Sequence, residues 1–159
     1  MIIRLMQPQD RPALIAMGLN FARNTPAFAT VLAKISAESV GYMLDLITGL
    51  GPDKAAIFVA VDEQAAGLWN RGEVIGCFPI AAVPNLLTGE IIAEELTWFV
   101  DPSRRGMRAG PRLLTAATDW AMARGLKMLK MGAPAGSDVG RFYEHQGFQA
   151  VETAYYKVL

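Results

Sequence analysis

The sequence predicts a mixed α+β fold: a mostly antiparallel sheet, flanking helices and one parallel β-α-β crossover. Three observations carry this. Two helical periodicities near the N-terminus precede three β-rich runs. A turn signal separates the first two of those runs. A strand, a Gly/Arg loop, a helix and a short strand then follow with minimal connections, which sets the last strand parallel to the one before the helix. At 159 residues the chain holds one full core and is short for two, so residues 1–159 read as a single domain.

Ile2–Met6 reads as a short strand. Asp10 is placed to cap a helix with Pro12 in its first turn. Leu14, Met17, Gly18, Phe21 and Ala22 recur on one face of that helix, and Asn24-Thr25-Pro26 ends it. Ser36 opens a second helix with Val40, Met43, Leu44 and Ile47 inward, closed by Gly49 and Gly51. Between them, Phe28–Ile35 is apolar without a clear period. Ala56–Val61 is a buried strand by its β-branched content. Asn70-Arg71-Gly72 signals a turn, and Val74–Val83 returns as its hairpin partner. Ile91–Val100 reads as a third long strand. A helix from Pro111 carries Leu113, Ala117, Trp120 and Ala121 on one face and ends at Gly125. Lys127–Met131 is the parallel strand. A short helix over Asp138–His145 and a final strand pair, Phe148–Val151 and Ala154–Val158, complete the order.

Composition narrows the function. Apolar residues make up 52% and charged residues 19%, so the chain should fold rather than stay disordered. Fifteen basic residues balance fifteen acidic ones, which argues against nucleic-acid or membrane binding by bulk charge and makes any anion site local. The single Cys77 reads as a small buried strand residue and forms no internal disulfide. The N-terminus lacks the order of a signal peptide, and Val74–Gly89 is broken by Pro79 and Pro84 and too short to span a bilayer. The expectation is a soluble, cytoplasmic protein. The apolar surplus and an exposed C-terminal edge strand point to a homodimer.

The local anion site is legible in Val100-Asp101-Pro102-Ser103-Arg104-Arg105-Gly106-Met107-Arg108-Ala109-Gly110, which leads into Pro111-Arg112. A loop that feeds a helix N-terminus offers backbone N–H groups and a positive dipole end to an anion. Four arginines add charge there. The order is not that of a P-loop or of a dinucleotide-binding GxGxxG.

This loop resembles the cofactor motif of the GNAT-type N-acetyltransferase superfamily, V-x-P-x-x-[RQ]-x-x-[GA]-x-[GA] before a helix rich in Leu and Ala. A second motif of that family is matched by Phe142-Tyr143-Glu144-His145-Gln146-Gly147-Phe148. The resemblance covers essentially the whole chain. It implies acetyl-CoA as co-substrate and a primary amine as acceptor; no metal is expected, because the sequence offers no Cys/His cluster to hold one. It places backbone groups near Trp98, Phe99 and Val100 on the pantetheine arm, and Arg105, Gly106, Met107, Arg108, Ala109 and Gly110 around the pyrophosphate. It assigns Tyr143 as general acid toward the thiolate. It also sets the acceptor between Asn24–Ile35 and Phe148–Leu159, a region offering Phe28, Tyr155, Tyr156 and Glu152. Three residues depart from the family pattern. Arg108 stands where a glycine is usual and is expected at an ordinary negative φ. Pro111 removes one N–H, and Gly136 replaces an Asn upstream of Tyr143. These departures motivate a competing reading, a coenzyme A-binding regulatory or silent module without turnover.

Amide formation also needs a proton acceptor. A lysine-like amine has a pKa near ~10.4, so its neutral form at pH 7 costs roughly 4–5 kcal/mol. Glu94 and Glu95 lie on an otherwise apolar strand and face opposite ways. Glu94, alternating with Leu96, Trp98 and Val100, is expected to be the partly buried one and the candidate base; Glu95 is expected at the surface. His145 is expected to face solvent.

Overall fold

Strands β2 (Ala55–Asp62) and β3 (Glu73–Pro84) form the centre of the sheet, because almost every side chain in them is apolar and both faces must be covered. They pair antiparallel from Ala55↔Ala81 to Asp62↔Glu73, with one irregular step between Ala60 and Val61. The computed structural model describes residues 1–65, 72–157 and 159. Asn70 and Arg71 of the hairpin signal lie outside the described residues, as does Val158. Strand β1 (Ile2–Leu5) pairs antiparallel with β2, and β4 (Ile91–Glu95) antiparallel with β3. β6 (Leu129–Lys130) lies parallel to β4 through Ala93↔Leu129 and Glu94↔Lys130, so the order is β1-β2-β3-β4-β6.

Helices α1 (Arg11–Asn24) and α2 (Ala37–Gly49) cover one face of the sheet. They enclose a core of Leu14, Met17, Leu44, Ile47, Ile57, Val59, Cys77, Ala81 and Phe99. Helix α3 (Ala109–Ala123) covers the other, with Leu113, Ala117 and Trp120 against Phe78, Ile80 and Ala93. The short helix α4 (Val139–His145) adds Tyr143, and Phe142 packs against the α3-side core. Among the described residues no helix is long and apolar enough to cross a membrane.

The structure corrects several sequence expectations. Phe28–Ile35 contains parts of two short 3-10 turns, Pro26–Phe28 and Val31–Lys34. Helix α2 buries Gly41, Leu44 and Ile47 and leaves Met43 exposed. The cause is Arg11, which donates to Gly41 O and Asp45 and draws the Gly41 side of α2 against α1. Helix α3 begins at Ala109, two residues before Pro111, so Pro111 still falls in the first turn. Phe148–Lys157 holds no strand. A two-residue β6 offers too short a ladder edge to template a neighbour, and among the described residues one ion pair, Lys130–Glu152 (3.0 Å), ties the segment back. The C-terminal edge strand invoked for a homodimer is therefore not formed.

Asp10 stands directly before α1, yet its side chain does not cap that helix. It binds Arg4 through two bonds (2.6 and 2.9 Å) and accepts the Gln7 N–H, so β1 is tied to the turn that leads into α1. The Arg4 guanidinium holds this carboxyl below the usual range. Asp10→Ala is expected to lower stability by about 2 kcal/mol, since it leaves a half-buried guanidinium unpaired. The shift of the urea midpoint at constant slope measures it.

Candidate active site

The site begins where the third long run breaks. One more residue lies between Glu95 and Phe99 than between their β3 partners Ile80 and Cys77, so the run divides into β4 and β5 (Phe99–Val100) across a bulge. Pro79 lies opposite the break. It cannot donate to a ladder, and its carbonyl accepts the Leu96 N–H.

The bulge resets the alternation of side chains. Glu95 pairs with Ile80 and faces the α3 side, and beyond the bulge Trp98 and Val100 face that same side. Glu94 pairs with Ala81 and faces the α1/α2 side. The expected company of Glu94 with Trp98 and Val100 is thus overturned, and so is the surface placement of Glu95. Glu94 is one-third exposed and bound to Lys130 Nζ at 3.3 Å, with Lys130 also held by Glu152. The two carboxylates raise the Lys130 pKa and keep it an ammonium, Glu152 first. Glu95 is largely buried. Burial pushes its carboxyl up to about 7, nearby Glu94 adds to the rise, and the Gly132 N–H opposes it.

β5 pairs with β3 alone, and β6 ends at Lys130, so the edge of β5 away from β3 has no strand beside it among the described residues. The Gly132 peptide stands across this gap. Its N–H donates to Glu95 Oε2 (2.9 Å), and its carbonyl accepts the Tyr143 hydroxyl (3.0 Å). Tyr143 is buried and stacks on Trp98 at 5.8 Å and 21°, with Phe142 and Phe148 against its ring. Burial and the Glu95 carboxylate raise its pKa, so its oxygen keeps its proton through the neutral range. Trp98 Nε1 is buried without a partner among the described residues.

The arginine loop forms a 3-10 turn over Pro102–Met107 that leads directly into α3. Its four arginines divide into two pairs by role. Arg104 bridges Asp62 and Glu73 at the end of the β2–β3 hairpin, and Arg112 donates to the Met1 carbonyl. Arg105 and Arg108 are exposed, with no ion-pair partner among the described residues. Arg108 has φ +58°, the left-handed conformation, which corrects the expected negative φ. It ends the 3-10 turn and starts α3 in one step, so the backbone turn usually made by glycine survives under an arginine side chain at a cost of about 1 kcal/mol. Gly110 lets the helix start approach the indole, since a Cβ there would lie 2.9 Å from Trp98 Cζ2. His145 is exposed, and Cys77 is buried with its thiol pushed up to about 12, too high to react as a thiolate. Glu95 and Gly132 are the site residues that sequence reasoning missed. Pro79 was the available signal, because a proline in a central strand marks a bulge.

The chain belongs to the acetyltransferase (GNAT) family, whose model matches residues 42–148. Among solved structures it is similar to an acetyltransferase of Trypanosoma brucei (18% identity, 99% of each chain covered, TM-score 0.71). A ribosomal-protein-alanine N-acetyltransferase from Brucella melitensis is also similar (18% identity, 100% of this chain and 99% of that one, TM-score 0.65). So is an aminoglycoside 6'-N-acetyltransferase from Acinetobacter haemolyticus (14% identity, 100% and 98%, TM-score 0.68). At these identities the likeness is one of fold. No curated protein sequence matches the chain.

Proposed function

We propose that this protein is an N-acetyltransferase that uses acetyl-CoA to acetylate a primary amine by direct attack in a ternary complex. The observation that carries this is the gap beside β5, with Glu94 on one face of the sheet and Tyr143 on the other. Acetyl-CoA supplies an acetyl thioester when bound, and the residues present fit it. Among the described residues the edge of β5 is unpaired, which suits an extended amide-bearing arm, and the buried Trp98 Nε1 has no acceptor. Arg105, Arg108 and the α3 N-terminus suit a pyrophosphate, with Gly106, Met107, Ala109 and Gly110 supplying the backbone around it.

The chain's own residues divide the proton traffic. Glu94 takes the proton of the incoming amine, and an ammonium already docks on this carboxylate in the form of Lys130. Tyr143 holds, on the opposite face, the proton that a departing thiolate takes up. The two groups lie on opposite sides of the sheet, so neither short-circuits the other. The acceptor is an amine of a small molecule or of a peptide. The left-handed turn at Arg108 keeps the loop backbone despite the missing glycine, which supports coenzyme A binding in an enzyme and in a silent module alike.

Arg105→Ala and Arg108→Gly test the reading; glycine is chosen at 108 because alanine would be strained at a positive φ. Each is expected to weaken acetyl-CoA binding about fivefold to thirtyfold, from roughly 1–2 kcal/mol per charge-assisted contact at an exposed site. Calorimetry measures this, and unchanged affinity in both variants removes the arginines from the site. Release of free thiol over a panel of amines then separates an enzyme from a silent binder.

A further inference from the structure

We propose that Glu95 is a positioning residue that sets Tyr143 through the Gly132 peptide; the inference rests on the acetyl-transfer reading above. Glu95 is a carboxylate on an apolar face, in the company of Ile80, Ala93 and Trp98. Such a placement is costly without compensating bonds. Among the described residues its carboxylate has one hydrogen bond, with the Gly132 N–H at 2.9 Å, and the carbonyl of that residue receives the Tyr143 hydroxyl at 3.0 Å.

Gly132 lies two residues beyond the last ladder pair, Glu94↔Lys130. From there on no strand pairing among the described residues fixes the backbone, and two side chains do so instead. Glu95 reaches across the gap from β4 to hold the N–H side, and the Tyr143 hydroxyl is aligned on the carbonyl. A shift of the Glu95 carboxylate is therefore passed along Gly132 to the oxygen of Tyr143. The charged and titratable groups that sense Glu95 are Glu94 beside it on β4, Cys77 on β3 and Tyr143 on α4. A side chain that merely joins two strands would leave Tyr143 untouched, and this difference is measurable.

The test compares wild type, E95A, E95Q, Y143F and the double variant E95A/Y143F. Glutamine keeps an acceptor oxygen for the Gly132 N–H, and alanine does not. In E95A, kcat is expected to fall roughly 10- to 100-fold with the acetyl-CoA KM within about twofold, as a displaced catalytic group would give. E95Q should recover most of that loss, and E95A should add little in the Y143F background. A second readout needs no turnover: the NMR signals of the Gly132 amide and the Tyr143 ring should both shift in E95A and both return toward wild type in E95Q. The proposal is overturned if the Tyr143 ring is unmoved while the Gly132 amide shifts, if E95Q is as impaired as E95A, or if the two losses multiply in the double variant. A wild-type protein that binds acetyl-CoA but acetylates no amine removes the acetyl-transfer reading instead, and the NMR readout still decides the link between Glu95 and Tyr143.

Discussion

Tyr143→Phe is expected to lower kcat by about 100-fold or more, the range for loss of a positioned proton donor, while acetyl-CoA affinity stays within about twofold. The substitution removes one oxygen and leaves the ring. Its stacking on Trp98 and its contacts with Phe142 and Phe148 persist, so the hydrophobic contribution of the side chain is retained. The lost hydrogen bond to Gly132 O costs about 1 kcal/mol of stability, since the partner is a single carbonyl. Stability and turnover should thus separate by more than an order of magnitude in their equilibrium and rate constants. Burial and Glu95 raise the hydroxyl's pKa, so in the wild type this donor stays loaded across the neutral range. Thiol-release kinetics beside calorimetry and thermal unfolding measure all three quantities. A variant that retains turnover, or that loses affinity and stability in step with turnover, would make Tyr143 a packing residue.

The parts of this molecule legible in the sequence are those set by local pattern. The helix over Leu14 and Met17, the hairpin of Phe58 against Phe78, and the parallel step from Ile91 to Leu129 follow from periodicity and connection length. The arginine loop was legible as a place, but the roles of its side chains were not. Whether Arg104 binds an anion or bridges Asp62 and Glu73 depends on partners 42 and 31 residues away. The assignment of Glu94 and Glu95 to faces failed for a definite reason: alternation holds only while a strand is regular, and one inserted residue reverses it for everything beyond. The short β6 and the unpaired Phe148–Lys157 segment show the same limit. Their alternating apolar residues suit strands, but the ladder partner that would make them strands is missing.

Stability should fall as pH rises from about 4.5 to about 7, the ordinary and the raised pKa of Glu95, and Glu95→Gln should abolish most of that fall. In this window the folded protein keeps the proton on Glu95 while the unfolded chain has released it. The folded state therefore binds more protons, and each step up in pH favours unfolding. The full contribution is present below the lower value and lost once the pH has passed the upper one. A shift from 4.5 to about 7 corresponds to about 3 kcal/mol. Other shifted groups fall outside the window. Asp10 is lowered by Arg4, so its contribution is lost only at more acid pH; Cys77 and Tyr143 are raised and act only in alkali. Urea unfolding at intervals from pH 4.5 to 8 should give converging stabilities for wild type and Glu95→Gln at the acid end. At the alkaline end the variant should be the more stable by up to about 3 kcal/mol. Parallel curves across the whole range would refute the assignment. At neutral pH glutamine would make the same bond to Gly132 without the charge, so the carboxylate lowers the stability of the fold there.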